Sequence, residues 1–167
     1  MSYGKTVCAY KNAYFFSRRS CMLCTEHFCE SADISFGDIW LRRMKKEPIK
    51  HTCCVIRTQR GMGYLDKAES LGRLKLFPIP DEDVVRGQKR ALVFKFCCAS
   101  EKSRILAKQG KHFDAPGGHP CRWNHRLAAR LGWADMEYSE KKAEKLEKIP
   151  TWLIYYYMCF IRLLLSF

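Results

Sequence analysis

His51-Thr-Cys-Cys-Val-Ile-Arg57, the capped stretch from Thr58 through Leu65, Ala68 and Leu71 to Gly72, and the run 73–79 together decide how this chain folds. Cys53, Cys54, Val55 and Ile56 form a β-rich run. Thr58 can cap a helix whose apolar face carries Leu65, Ala68 and Leu71, and Gly72 can end it. Residues 73–79 then read as a second strand through Leu74, Leu76 and Phe77. Strand, helix and strand within about 30 residues make a βαβ unit, which implies a parallel pair. The expected class is therefore α/β, a mixed sheet with a βαβ unit, followed by a C-terminal helical extension.

Outward from this unit, residues 5–16 read as two short strands around a Lys11–Asn12 turn. Residues 32–40 alternate around Ile34, Phe36 and Ile39, with Gly37 and Asp38 as an expected bulge or turn. Pro48 marks 42–50 as a loop. Pro80 and Asp81 begin another helix, and 91–108 reads as helical and basic. A loop at 115–120 is followed by a charged helix over 135–148, which Glu137→Lys141 and Glu144→Lys148 pairs support. Pro150 separates it from an aromatic tail. The expected division is 1–110 as the main domain, 111–134 as a loop-rich linker and 135–167 as a helical tail.

The 167 residues are 47% hydrophobic and 28% charged, a globular composition rather than a disordered one. The net charge of +13 is uneven. Residues 84–130 hold eleven Lys or Arg against two acids, whereas 135–167 is neutral. Such a field attracts nucleic acid, acidic lipid, a phosphorylated cofactor or an acidic protein. The basic span lacks regular aromatic interleaving and any nucleic-acid motif, which argues against nucleic acid. With ten cysteines and no export signal, the expected compartment is the reducing cytoplasm.

Cysteine spacing carries the chemistry. In Arg18-Arg-Ser-Cys-Met-Leu-Cys-Thr-Glu-His-Phe-Cys-Glu-Ser-Ala-Asp-Ile-Ser-Phe-Gly-Asp-Ile-Trp40, Cys21 and Cys24 can direct two thiolates at one metal centre. Such a pair serves iron–sulfur clusters and zinc alike. Arg18 and Arg19 would offset the negative charge of a thiolate-bound cluster. Standing alone, a CxxC is as often two idle thiols.

Arg-x-Ser-Cys-x-x-Cys followed by Ala-Asp-Ile-Ser-x-Gly-Asp-x-Trp resembles the carboxy-terminal domain of the coenzyme F-420 hydrogenase/dehydrogenase beta-subunit family. The resemblance continues through Val55-Ile-Arg-Thr-Gln-Arg-Gly61, residues 72–79 and the helix around Asp83-Val-Val-Arg-Gly-Gln88, covering about 14–96. It implies an iron–sulfur electron-transfer domain of a flavin-dependent oxidoreductase. Cys21 and Cys24 would ligate a 4Fe–4S cluster, with Cys29 the next candidate by proximity. Asp33, Gly37, Asp38 and Trp40 would shape the cofactor environment. Full members carry a cysteine-rich, flavin-binding portion ahead of this motif, so the chain is expected to be a partial one. FAD binding would then require the N-terminal portion, and the expected partner is that missing half or another redox protein.

Blander accounts compete for several residues. Cys21, Cys24, His27 and Cys29 can also be read as a zinc knuckle, giving a non-enzymatic zinc-stabilised or nucleic-acid-binding module. Asp33 and Asp38 suit turn roles as well as cofactor contacts, and Trp40 suits a core or edge position. Gly61-Met-Gly63 lacks the third glycine of a dinucleotide fingerprint, since Asp66 stands there. Arg57 and Arg60 read as solvated cations before phosphate ligands, and Gly117–Gly118 as linker. Cys8 and Cys159 read as core residues, Cys97 and Cys98 as small hydrophobes on a helix. As a helix, 152–167 would span about 24 Å and include Arg162, too short and too charged to cross a bilayer. Membrane contact would be peripheral at most, through 152–167.

Overall fold

The computed structural model describes residues 3–41, 43–46 and 48–167, so the loop expected at 42–50 lies partly outside the described residues. By internal contact the chain forms two units, Met1–Thr25 with Arg90–Phe167, and Glu26–Lys89. That grouping differs from a division at 110 and 134.

The first unit is helical: α1 (Tyr3–Asn12), α2 (Arg19–Leu23), a π-helical turn at Val93–Cys97, α5 (Ala99–Ala107), α6 (Trp123–Leu146) and α7 (Thr151–Leu164). Where two strands are expected over 5–16, the chain forms α1 up to Asn12 and then a turn over 13–16. Ala9 and Ala13, four residues apart, are fully buried in a cluster with Phe15, Leu146, Ile154 and Met158. Helical spacing puts both alanines on the face that α7 covers. The Tyr10 hydroxyl donates to the Leu146 carbonyl at 3.1 Å. Cys8, expected in the core, is exposed.

A larger core joins Met22, Phe94, Cys98, Trp133, Met136 and Ile161. Residues 123–134, expected within a linker, are the first three turns of α6. Ala128, Ala129, Gly132, Trp133 and Met136 supply a buried stripe at helical spacing there. Pro150 stands as the N-cap of α7, as its sequence position implies. Along α7, Ile154, Met158, Ile161 and Leu165 are buried at i, i+4, i+7, i+11, so this chain covers that face itself.

The second unit holds β1 (Ile34–Asp38), β2 (Thr52–Ile56), α3 (Gln59–Ser70) and the start of α4 (Asp81–Leu92). The class is mixed α and β with C-terminal helices, as expected. The βαβ unit is not formed. β1 and β2 pair antiparallel as a two-stranded sheet, and 73–79 is irregular. Pro78 interrupts that run, and the Leu76 N–H donates to the Glu69 carboxylate at 2.8 Å, a bond a strand neighbour would otherwise take. The expected bulge is absent too, since Gly37 pairs with Cys53 and Asp38 with Thr52 in unbroken register.

Local chemistry sets the ends of α3 as its sequence implies. The Gly61 N–H donates to the Thr58 hydroxyl at 3.1 Å. At the other end Gly72 takes φ +66°, its N–H reaches Glu69 O, and the Arg73 N–H reaches Ala68 O. This left-handed cap is one that glycine adopts without steric cost.

Candidate functional site

Two places hold the site residues expected from sequence, one in each unit.

In the helical unit, Cys21 lies exposed on α2, and Cys24 is the residue that ends it. Cys24 leaves the helix with φ −60° and ψ 122°, so the short helix turns extended at the second cysteine. The Lys95 ammonium, from the π-helical turn, donates to the Cys24 sulfur at 3.2 Å. Sequence reasoning missed this cation because 71 residues separate the pair. Arg19 is turned away from cysteine chemistry, with its guanidinium 3.6 Å from Glu137 and 3.8 Å from Glu140.

Behind Lys95 lies Lys102, which is 1% exposed. Its ammonium donates to the Phe94 carbonyl at 2.7 Å and stands 3.8 Å above the Phe94 ring. Burial pulls its pKa down to about 8, against the opposing pull of Cys98. Cys98 is itself buried, donates to the His125 carbonyl at 3.2 Å, and is pushed up to about 12 by loss of water. A thiol so placed is a core residue, as its sequence position implies.

In the strand unit, the Ala-Asp-Ile-Ser and Val-Ile-Arg-Thr motifs meet each other. The Thr58 hydroxyl donates to the Asp33 carboxylate at 2.5 Å, and the Arg57 N–H donates to the Asp33 carbonyl at 3.0 Å. The Arg57 guanidinium donates to the Phe28 carbonyl at 2.6 Å, the Ser35 hydroxyl at 3.2 Å and the Ala32 carbonyl at 3.4 Å. Asp33 thus ties the entry of β1 to the cap of α3, and Arg57 holds the turn before β1. Sequence reasoning gave Arg57 to solvent and missed this clasp. Its trace was visible only as an Arg-Thr pair following a strand.

Gly61 completes the clasp. A Cβ there would stand 2.7 Å from the Asp33 carbonyl oxygen and 2.8 Å from Ile34 Cγ1, so α3 meets β1 with no room for a side chain at this position. Gly61→Ala is expected to cost about 1–3 kcal/mol, because the neighbour in the way is backbone and cannot rotate aside. Gly63, in the same helix with nothing within 4 Å, is the control. Gly63→Ala should be neutral or stabilise by about 0.5–1 kcal/mol through helix propensity. Urea denaturation of both variants checks the contrast, and equal midpoints would contradict it.

A cleft of about 230 Å³ opens beside β1, and it gathers Cys29, Gly37, Asp38 and Trp40 of the expected site residues. Asp33 is not among its lining residues. Trp40 is 61% exposed and Phe36 66%, so both rings are available to a ligand. Cys29 sits at φ +54°, a left-handed position uncommon for a side chain of this kind. The Gln88 side-chain amide donates to the Asp38 carbonyl at 2.9 Å, and Gln88 Oε1 is 3.3 Å from His27 Nε2. Buried Asp83, also lining the cleft, is held by Arg43 at 2.5 Å and by Arg86. The Asp83 charge is therefore neutralised within the unit. The cleft offers aromatic rings and the Asp38 carboxylate, which suits a flat ring with polar edges.

A four-iron cluster needs four ligands. Cys21 and Cys24 fit as two, being three residues apart, with one exposed and the other half-buried beside an ammonium. Cys29 belongs to the other unit. Among the described residues no three His, Cys, Asp or Glu side chains converge as a metal site, and no disulfide joins the ten cysteines. Among the described residues, no full ligand set for a cluster is assembled.

No curated protein and no solved structure matches the chain at a significant level. A family model does match, over residues 3–82, and it describes the C terminus of the coenzyme F420 hydrogenase/dehydrogenase beta subunit. It spans the cysteine turn, the Asp33–Arg57–Thr58 clasp, β1, β2 and α3, all described above on their own geometry. Residues 3–82 of this chain are thus similar to the C terminus of that hydrogenase/dehydrogenase subunit family.

Proposed function

We propose that this chain is an electron-transfer piece of a flavin-dependent oxidoreductase, with Cys21 and Cys24 supplying two of the thiolates that hold an iron–sulfur cluster. The observation that carries the reading is the exposed cysteine turn, with Lys95 beside Cys24, inside the segment similar to that subunit family. When bound, a cluster of this kind passes single electrons. The chain's own residues do the rest. Cys21 and Cys24 bind, while Lys95 donates to sulfur and offsets its negative charge, the kind of contact that tunes a cluster's potential.

The remaining ligands come, on this reading, from the flavin-bearing partner: the N-terminal portion of the same protein or another chain. The strand unit supports that view. A two-stranded sheet is marginal alone, and Phe36, Gly37 and Asp38 of β1 are exposed. Gly37, Asp38 and Trp40 would then present the aromatic cleft to the flavin or its binding segment, with Cys29 at its wall. Asp33 would act by position, holding β1 where the cleft needs it.

Anaerobic reconstitution with iron and sulfide, the partner segment supplied, tests the proposal. The expected product is brown, with broad visible absorption that dithionite bleaches. A colourless protein that instead takes up stoichiometric zinc would contradict it and support the zinc-stabilised module.

A further inference from the structure

Helix α7 carries two apolar ridges, and the fold uses one of them. Ile154, Met158 and Ile161 face inward and are nearly inaccessible. Trp152, Tyr156, Phe160 and Leu163 follow the spacing i, i+4, i+8, i+11 and are 60%, 65%, 44% and 54% exposed. Leu153, 48% exposed, widens the ridge. A helix that is apolar all round is ordinarily buried all round. Here nothing charged interrupts the outer ridge from Trp152 to Leu163, a length of about 18 Å.

Just ahead of α7, exposed Lys145 and Lys148 alternate with exposed Glu144 and Glu147. At its far end stands Arg162, which adds to burial, the larger cause, in lowering the Arg90 pKa, and Arg122 donates to the Phe167 carbonyl at 3.3 Å. The whole helical unit holds eighteen Lys or Arg against seven acids. A second copy laid against this ridge would bring two such fields together, which costs energy. An anionic bilayer offers what both features require, hydrocarbon for the ridge and phosphate charge for the unit's excess of cations. Trp152, Tyr155 and Tyr156 add the ring types that favour the headgroup level. No described helix is long and apolar enough to cross a membrane, which fits a helix that lies in the surface.

We infer that the outer ridge of α7 seats the protein flat on an anionic membrane surface. The full chain should float with vesicles of equal parts phosphatidylglycerol and phosphatidylcholine at low salt, and bind pure phosphatidylcholine vesicles weakly. A Phe160→Glu, Leu163→Glu double variant should bind roughly tenfold or more weakly, since it puts charge into the acyl boundary. Its far-UV circular dichroism should match the parent, because both side chains point outward. Bromine-labelled lipid provides a second measurement without that variant: it should quench the parent's fluorescence, and Trp152→Phe should remove most of the quenching.

Three results would overturn the inference. One is failure to float with anionic vesicles. Another is binding that salt abolishes but that neither bromine quenching nor the double variant registers, which means surface adsorption alone. The last is a dimer, dissociated by the double variant, in a protein that ignores vesicles.

Discussion

Asp135→Asn should stabilise the chain by up to about 4 kcal/mol at pH 8 and change little near pH 4. Asp135 is 8% exposed on α6, and its carboxyl accepts a hydrogen bond from the Tyr157 hydroxyl at 2.8 Å. Burial raises its pKa from 3.8 to about 7, and the Tyr157 bond opposes only part of that rise. Between these values the unfolded chain has lost the proton while the native state keeps it. The native state therefore binds more protons there, and stability falls as pH rises from 4 to 7. Each tenfold change in proton affinity between the two states corresponds to about 1.4 kcal/mol. Asparagine keeps an acceptor for Tyr157 and has no charge to bury.

Lys102 slopes the other way. Its pKa is lowered from 10.5 to about 8, so between these values the unfolded chain binds more protons and stability rises with pH. The two groups together predict a trough near pH 7–8, with the rise beyond it limited to below about pH 9, where the raised Cys98 pKa starts to lower stability again. Urea midpoints across pH check it: the trough should appear in the parent, and Asp135→Asn should fill its acid side. A flat profile, or no gain from the substitution at pH 8, would contradict the burial argument.

The parts of the fold legible in sequence are those set by local chemistry. The Thr58 cap, the Gly72 stop, the Pro80–Asp81 start and the Pro150 break each act within a few residues of themselves, and each stands where it was expected. β1 and β2 were legible from their period and residue types. What was not legible depends on distant partners. Residues 5–16 alternate well enough to suggest strands, yet burial of Ala9 and Ala13 beside Ile154 and Met158 makes 5–12 a helix. The run 73–79 has strand composition, but Pro78 and the Glu69–Leu76 bond leave it unpaired.

The site follows the same division. Spacing marked Cys21 and Cys24, and the resemblance marked Gly37, Asp38 and Trp40, which line one cleft with Cys29. Asp33 was evenly balanced between cofactor contact and turn, and its bonds to Thr58 and Arg57 suit the positioning role. Lys95 was invisible, because nothing local connects it to Cys24. No three His, Cys, Asp or Glu side chains among the described residues converge on one metal site, so spacing alone had no further ligand to mark.

Replacing both Cys21 and Cys24 with serine should have the largest effect of all. A thiolate binds iron of a cluster far better than a hydroxyl, which stays protonated at neutral pH, so losing two of four ligands should all but abolish cluster retention. Cys8 and Cys159 serve as the matched control, since neither lies near the cysteine turn in sequence and Cys159 packs beside the second core cluster. The deciding measurement is iron and acid-labile sulfide per chain after anoxic reconstitution with the partner segment, across the parent, the Cys21→Ser, Cys24→Ser variant and the Cys8→Ser, Cys159→Ser variant. The account predicts near-equal iron in the parent and the control, and almost none in the first variant. Equal iron in all three would show that the cysteine turn holds no cluster, and the electron-transfer reading would fall with it.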